Sequence, residues 1–232
     1  MDEVYTRQQL FNAYQDILSR PDYHLTGAET AGLSGVFLPD VTAAYCKSPV
    51  RLMLVGQETK RWNGGWQQYQ VGDDFEAYLR APTMAYREWM TGKPGKHRFL
   101  QFHRSLGKRM GGEPGSVIWG NLFATSYNQA SPVKCDTNRF NKIQALSSTL
   151  LRTQIEILKP HAVIFTTGWR YDPHLKACLG DQLQQSEVHK PKVIWRFMFE
   201  QTRCLRTSHP RYAPHNLERN KALLKLIEDA KG

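Results

Sequence analysis

A chain of 232 residues, 41% hydrophobic and 11% aromatic, can bury a sizeable core, and its ordinary composition excludes a collagenous or disordered protein. The longest apolar runs, such as Ala162-Val163-Ile164-Phe165, fall far short of the roughly 20 residues that span a bilayer. A formal net charge of +10 favours an anionic partner, nucleic acid first among them.

The opening MDEVYTRQQL is acidic and then polar, with no apolar signal core, so a cytoplasmic protein with no membrane contact is expected. Leu10, Tyr14, Ile17 and Leu18 recur at helical spacing and predict a helix over 5–19, which Pro21 stops. The Gly- and Ser-rich stretch 27–40 reads as a loop. A first strand over 51–55 runs into Gly56-Gln57-Glu58, the pattern of a buried parallel strand ending at a functional loop. Residues 59–72, rich in Gly, Trp, Gln and Asn, form a long loop, and helices follow over 74–91 and 97–110.

Gly and Pro punctuation then precedes a second strand over 117–123. Ile143, Leu146, Leu150, Leu151, Ile155 and Leu158 predict a helix over 138–158, ended by Pro160. A third strand over 162–167 ends at Gly168, and a fourth over 202–207 ends in Ser208-His209-Pro210. An extra strand around 193–195 is read as antiparallel or at an edge, and a last helix covers 215–230. Strands alternating with helices imply one α/β domain over 1–232: a three-layer α/β/α sandwich around a four-stranded, mainly parallel sheet.

Cysteines 46, 135, 178 and 204 include no CxxC pair, and the histidines show no ligand spacing, so no metal, iron–sulfur cluster or other cofactor is expected. Ligands of open α/β sheets bind beyond the carboxyl ends of the strands. Those ends carry Gln57-Glu58, Asn121, Thr166-Thr167-Gly168 and Ser208-His209, an acid–base and hydrogen-bonding set without a nucleophilic serine or cysteine. Neither a GxSxG elbow nor a phosphate-binding glycine loop is present.

Three of these segments, taken in order, resemble the uracil-DNA glycosylase superfamily. LMLVGQETK resembles the family's first motif, VIWGNLF the strand that ends at its base-reading asparagine, and TSHPRYAP its second motif. The resemblance spans roughly residues 50–215 and implies a monomeric, monofunctional DNA glycosylase that flips a base out and hydrolyses its N-glycosidic bond. It assigns Glu58 to the attacking water and His209 to the departing base, with both as catalytic residues. Gln57 and Asn121 become base-binding, with Asn128 a rival for the role of Asn121. Trp62 and Trp66 are candidates for stacking on a base or sugar, and Lys60, Arg206, Pro210 and Arg211 for DNA contact. The family's Pro-Tyr after the acid is Thr59-Lys60 here, and the serine after His-Pro is Arg211. These departures leave room for a modified pyrimidine, such as those of phage DNA, beside uracil. They leave repair and defence roles equally open, and a non-catalytic DNA-binding protein with the same fold is the alternative.

Overall fold

A computed structural model describes residues 1–93 and 95–231. Its centre is a six-stranded sheet of order β2-β1-β3-β6-β5-β4. The strands are β1 (Leu52–Gly56), β2 (Val117–Asn121), β3 (Ala162–Phe165), β4 (Leu183–Lys190), β5 (Ile194–Phe199) and β6 (Thr202–Arg206). The four strands expected from the sequence are all parallel to one another. The expectation of four strands is nevertheless corrected to six, because β4 and β5 add an antiparallel hairpin beside β6. The apolar run at 193–195 opens β5 and is antiparallel, as read. β4 escaped notice because it is polar and almost wholly exposed, so it carries no apolar alternation.

The helices are α1 (Glu3–Leu18), α2 (Ala43–Lys47), α3 (Phe75–Thr91), α4 (Arg98–Arg109), α5 (Thr137–Leu158), α6 (Asp172–Leu179) and α7 (Asn216–Asp229). Strand side chains alternate between faces, so β1 sends Met53 and Val55 to one side and Leu52 and Leu54 to the other. Leu10 and Tyr14 of α1, Leu146, Leu150 and Leu151 of α5 and Leu175 of α6 cover the first face. Tyr86 and Met90 of α3, Phe99 and Leu106 of α4 and Leu223 and Leu226 of α7 cover the second. No described helix is long and apolar enough to cross a membrane.

The strands stop one to two residues earlier than read at 123, 167 and 207, because the chain flares while its backbone bonding continues. Leu122 and Phe123 donate to the carbonyls of Gly56 and Gln57 at 2.9 and 2.8 Å. Thr207 N–H donates to Phe165 O at 2.8 Å, and Gly168 N–H to Thr207 O at 3.0 Å. The carboxyl edge of the sheet is therefore tied together beyond the last formal strand residue.

The stretch read as a loop over 27–40 holds no helix or strand beyond one 3-10 turn, yet residues 33–41 are buried. This strap satisfies its polar groups locally. Asp40, 0% exposed, accepts from Arg7 of α1 at 3.0 Å and from Arg87 of α3 at 2.7 Å, and from Val41 N–H at 2.8 Å. A buried carboxylate persists only when paired and hydrogen-bonded in this way.

Candidate functional site at the carboxyl edge of the sheet

Register alone brings the expected residues together. Gly56 pairs with Asn121, Val55 with Phe165, and Phe165 with Arg206, so the segments after β1, β2, β3 and β6 leave the sheet side by side. Gly56 is required by this close approach: a Cβ there would lie 2.8 Å from Asn121 Oδ1 and 3.3 Å from the Phe99 ring.

Glu58 follows directly. Burial pushes its carboxyl up to about 7, with Lys60 pulling weakly the other way. One carboxyl oxygen, Oε2, is buried and meets no hydrogen-bond donor among the described residues. Beside it, burial and then the Glu58 charge raise the Tyr171 phenol. Gln57 points its amide elsewhere, donating from Nε2 to Thr167 O at 2.6 Å, so it joins the β1 and β3 ends.

Asn121 is 5% exposed and held at both ends of its carboxamide. Trp119 Nε1 donates to Oδ1 at 3.1 Å, and Nδ2 donates to Thr59 Oγ1. One N–H and one lone pair remain for a ligand. The rival Asn128 is exposed, has φ of 46°, and sits in the tight turn between Tyr127 and Ala130. That left-handed conformation suits a turn residue and accounts for its identity.

His209 is neutral at pH 7, because burial, and then the positive charge of its neighbours, pushes it down to about 4. Those neighbours are Arg211, His97 and Arg219. The ring stacks on Phe99 with centroids 6.4 Å apart. Its Nδ1 accepts the Arg211 backbone N–H at 3.0 Å, which leaves the proton of the neutral ring on Nε2. Arg219, 3% exposed in α7, donates to Ser208 O at 3.3 Å and Ser208 Oγ at 3.1 Å and pins the His209 segment. Arg219, Tyr171 and Thr59 were not singled out from the sequence. Arg219 carried a readable signal, since 219, 222, 223, 226 and 227 form the buried stripe of α7. Leu217 and Leu224 of the same helix face outward at 64% and 52% exposure.

Two expectations, those for Trp62 and Arg206, are corrected. Trp62 is a core side chain, edge-on to Phe37 at 4.8 Å and Trp119 at 5.8 Å, because its loop folds the ring inward while Asn63, Gly64 and Gln67 stay outside. Trp66 is half-buried: it packs against two core clusters and keeps part of its surface exposed, as a stacking candidate requires. Arg206 is 2% exposed and salt-bridged to Asp172 at 2.7 Å, turned toward the core rather than toward a polyanion. Lys60 and Arg211 are exposed at the edge, and Pro210 is half-buried.

The loop behind Glu58 is clamped to the strap. Gly35 N–H donates to Trp62 O at 2.9 Å, and Trp66 N–H to Leu33 O at 3.1 Å. Gly35 admits this contact because a Cβ would meet the Trp62 and Asn63 carbonyls at 2.9 Å. Two surface hollows of about 400 and about 210 Å³ lie elsewhere, on the outer side of α5 around Thr149 and Arg152. Arg152, Glu156 and Glu200 line the smaller one, and neither hollow includes a residue from the carboxyl ends of the parallel strands. Among the described residues no cluster of His, Cys, Asp and Glu has the arrangement of a metal centre. No protein-family model matches the chain, and no curated protein matches it.

Proposed function

We propose that the protein is a DNA glycosylase that hydrolyses the N-glycosidic bond of a flipped-out base, uracil or a modified pyrimidine. The observation that carries this reading is the pairing, on one sheet edge, of a desolvated carboxyl near pH 7 with a neutral histidine whose free proton is on Nε2. These are the two groups that such a hydrolysis needs. Ionised Glu58 orients a water toward the anomeric carbon and stabilises the positive charge that develops on the sugar. As the C–N bond breaks, its electron pair stays on the base, and His209 Nε2–H donates to the base's carbonyl oxygen. The water proton passes to Glu58, and an abasic site remains. Asn121 supplies its remaining donor and acceptor to the base edge, and Arg211 and Lys60 meet the phosphates. With Arg206 turned inward, Lys60, Arg211 and the half-buried Pro210 are the DNA-contacting residues retained from the sequence expectation.

Base release from DNAs containing uracil, mismatched thymine, hydroxymethylcytosine or glucosylated cytosine tests the proposal, with abasic sites read by alkaline cleavage. Release from one substrate that is lost in both Glu58→Gln and His209→Ala is the expected result. A second reading, a non-catalytic DNA-binding protein, draws on the tying of the Asn121 amide to Thr59 and Trp119. Salt-sensitive DNA binding without release from any substrate would establish that reading and overturn the first.

A further inference from the structure

The β4–β5 hairpin is the element that the resemblance does not provide, and its antiparallel pairing brings its turn to the functional edge. Trp195 at the start of β5 lies opposite Arg206 at the end of β6, so the turn around Pro191-Lys192 sits beside the carboxyl ends of the parallel strands. Lys192 adopts φ of 63° in that turn and lies exposed. Its Nζ stands 5.1 Å from the centroid of the Trp169 ring, and the exposed Arg170 guanidinium stands 5.5 Å from the same ring. Trp169 itself follows Gly168, whose φ of 79° turns the chain outward directly after β3, and is 43% exposed.

Trp169 combines exposure with cations over its ring, and no other indole among the described residues does both. Trp62, Trp119 and Trp195 are buried, Trp66 is half-buried, and the exposed Trp89 packs edge-on against Trp119 and His97 with no cation over its ring. Nearby acidic groups are already engaged: Asp172 by Arg206 and Glu218 by Lys190. The patch thus offers a π face and two positive charges without a carboxylate to neutralise them, in a chain of net charge +10. The complement of such a surface is an unpaired base with its flanking phosphates, since stacking tolerates any base and cations track the backbone.

We propose that Trp169, Arg170 and Lys192 form a stacking platform for an unpaired base of single-stranded DNA next to the nucleotide held at the strand ends. The inference rests on the reading of this edge as a DNA site and adds a strand preference to it. When the base stacks, Arg170 and Lys192 exchange the ring for phosphate oxygens. The protein therefore favours single-stranded or locally opened DNA over an intact duplex.

The test is equilibrium fluorescence anisotropy with an unmodified single strand of about 12 nucleotides, within the span that one such site covers, and a duplex of equal length. Wild type is compared with Trp169→Ala, Trp169→Phe, Lys192→Ala and Glu58→Gln, each first shown by thermal melting to be folded. Trp169→Ala is expected to lose about 5- to 150-fold in single-strand affinity, the range set by one stacked base, and to leave duplex affinity within about twofold. Trp169→Phe retains most of the binding, and Lys192→Ala lowers the dependence of log affinity on log salt by about 0.7. Repeating the Trp169→Ala comparison in a Glu58→Gln background, where the same fold-loss is expected, reads the platform apart from chemistry. If wild type releases no base yet Trp169→Ala loses single-strand affinity, the catalytic reading falls and the platform stands. Unchanged single-strand affinity in Trp169→Ala, or an equal loss for duplex, overturns the platform and assigns the ring to another kind of partner.

Discussion

Glu58→Gln gives a measurement that needs no substrate. Burial raises the carboxyl from the usual 4.5 to about 7, so the folded protein prefers it protonated while the unfolded chain ionises it freely. The native state is therefore least penalised below pH 4.5, and stability is lost as pH rises from there through about 7. At 1.36 kcal/mol per pH unit, the full loss is about 3 kcal/mol by pH 8. Glutamine keeps the shape and removes the titration. Glu58→Gln is expected to melt close to wild type at pH 5 and roughly 6–12 °C higher at pH 8, at about 2–4 °C per kcal/mol for a chain of this size. Thermal unfolding followed by circular dichroism at half-unit steps from pH 5 to 8.5 reads the difference. Subtracting the two curves cancels the other titrating groups, including His103 and His209. Parallel curves across that range would mean that the carboxyl ionises without penalty, and would remove the basis for treating Glu58 as a held-back base.

Three further outcomes follow from the packing. Asp40→Ala should destabilise by about 3 kcal/mol in urea unfolding, because Arg7 and Arg87 lose their partner but still reach water; the double Arg7→Ala/Arg87→Ala variant should cost more, since it strands a carboxylate with 0% side-chain exposure. A smaller loss in the double variant would contradict the assignment of Asp40 as the buried centre of the triad. His103 is pushed down to about 4 by burial and binds the Val117 carbonyl at 2.8 Å, so its contribution is complete above pH 6.5 and fades as pH falls toward 4. His103→Gln should flatten that acid loss by up to about 3 kcal/mol, read by urea midpoints at pH 7 and 4.5. Arg206→Met should cost about 3 kcal/mol through the abandoned Asp172 charge while DNA affinity of the folded variant stays within about twofold. A tenfold loss of DNA binding at unchanged stability would return Arg206 to the DNA-contacting set.

β1, β2 and β3 were legible because each is an apolar run bounded by glycine or polar residues, which is what burial on both faces demands, whereas β6, with sequence TRCLR, gave a weaker signal. Glu58, Asn121 and His209 were legible by the same reasoning, since the residues that follow such strands must share an edge. The hairpin was hidden because β4, with sequence LQQSEVHK, is exposed beyond Leu183 and carries no apolar alternation. α6 was hidden by its brevity and by Pro173 in its first turn, which reads as a breaker although proline suits that position. Trp62 was misplaced because its polar neighbours describe the outside of the loop and not the direction of the ring. Arg206 was misplaced because charge at a strand end was read as outward. Counting by twos from buried Cys204 puts Arg206 on the same face, where Asp172 awaits it.

The clamp between the strap and the loop behind Glu58 bears on how selectivity is expressed. A loop held by backbone bonds at Trp62 and again at Trp66 has surrendered its conformational entropy during folding. It is not a lid, and no slow closing step is available to test a substrate after it has entered. If the edge takes a base as proposed, discrimination rests on fit to a preset surface and shows up in how fast a poor fit departs. Changing what the edge accepts is correspondingly a matter of exchanging side chains on a fixed backbone, with Thr59 and Lys60 the nearest places to begin.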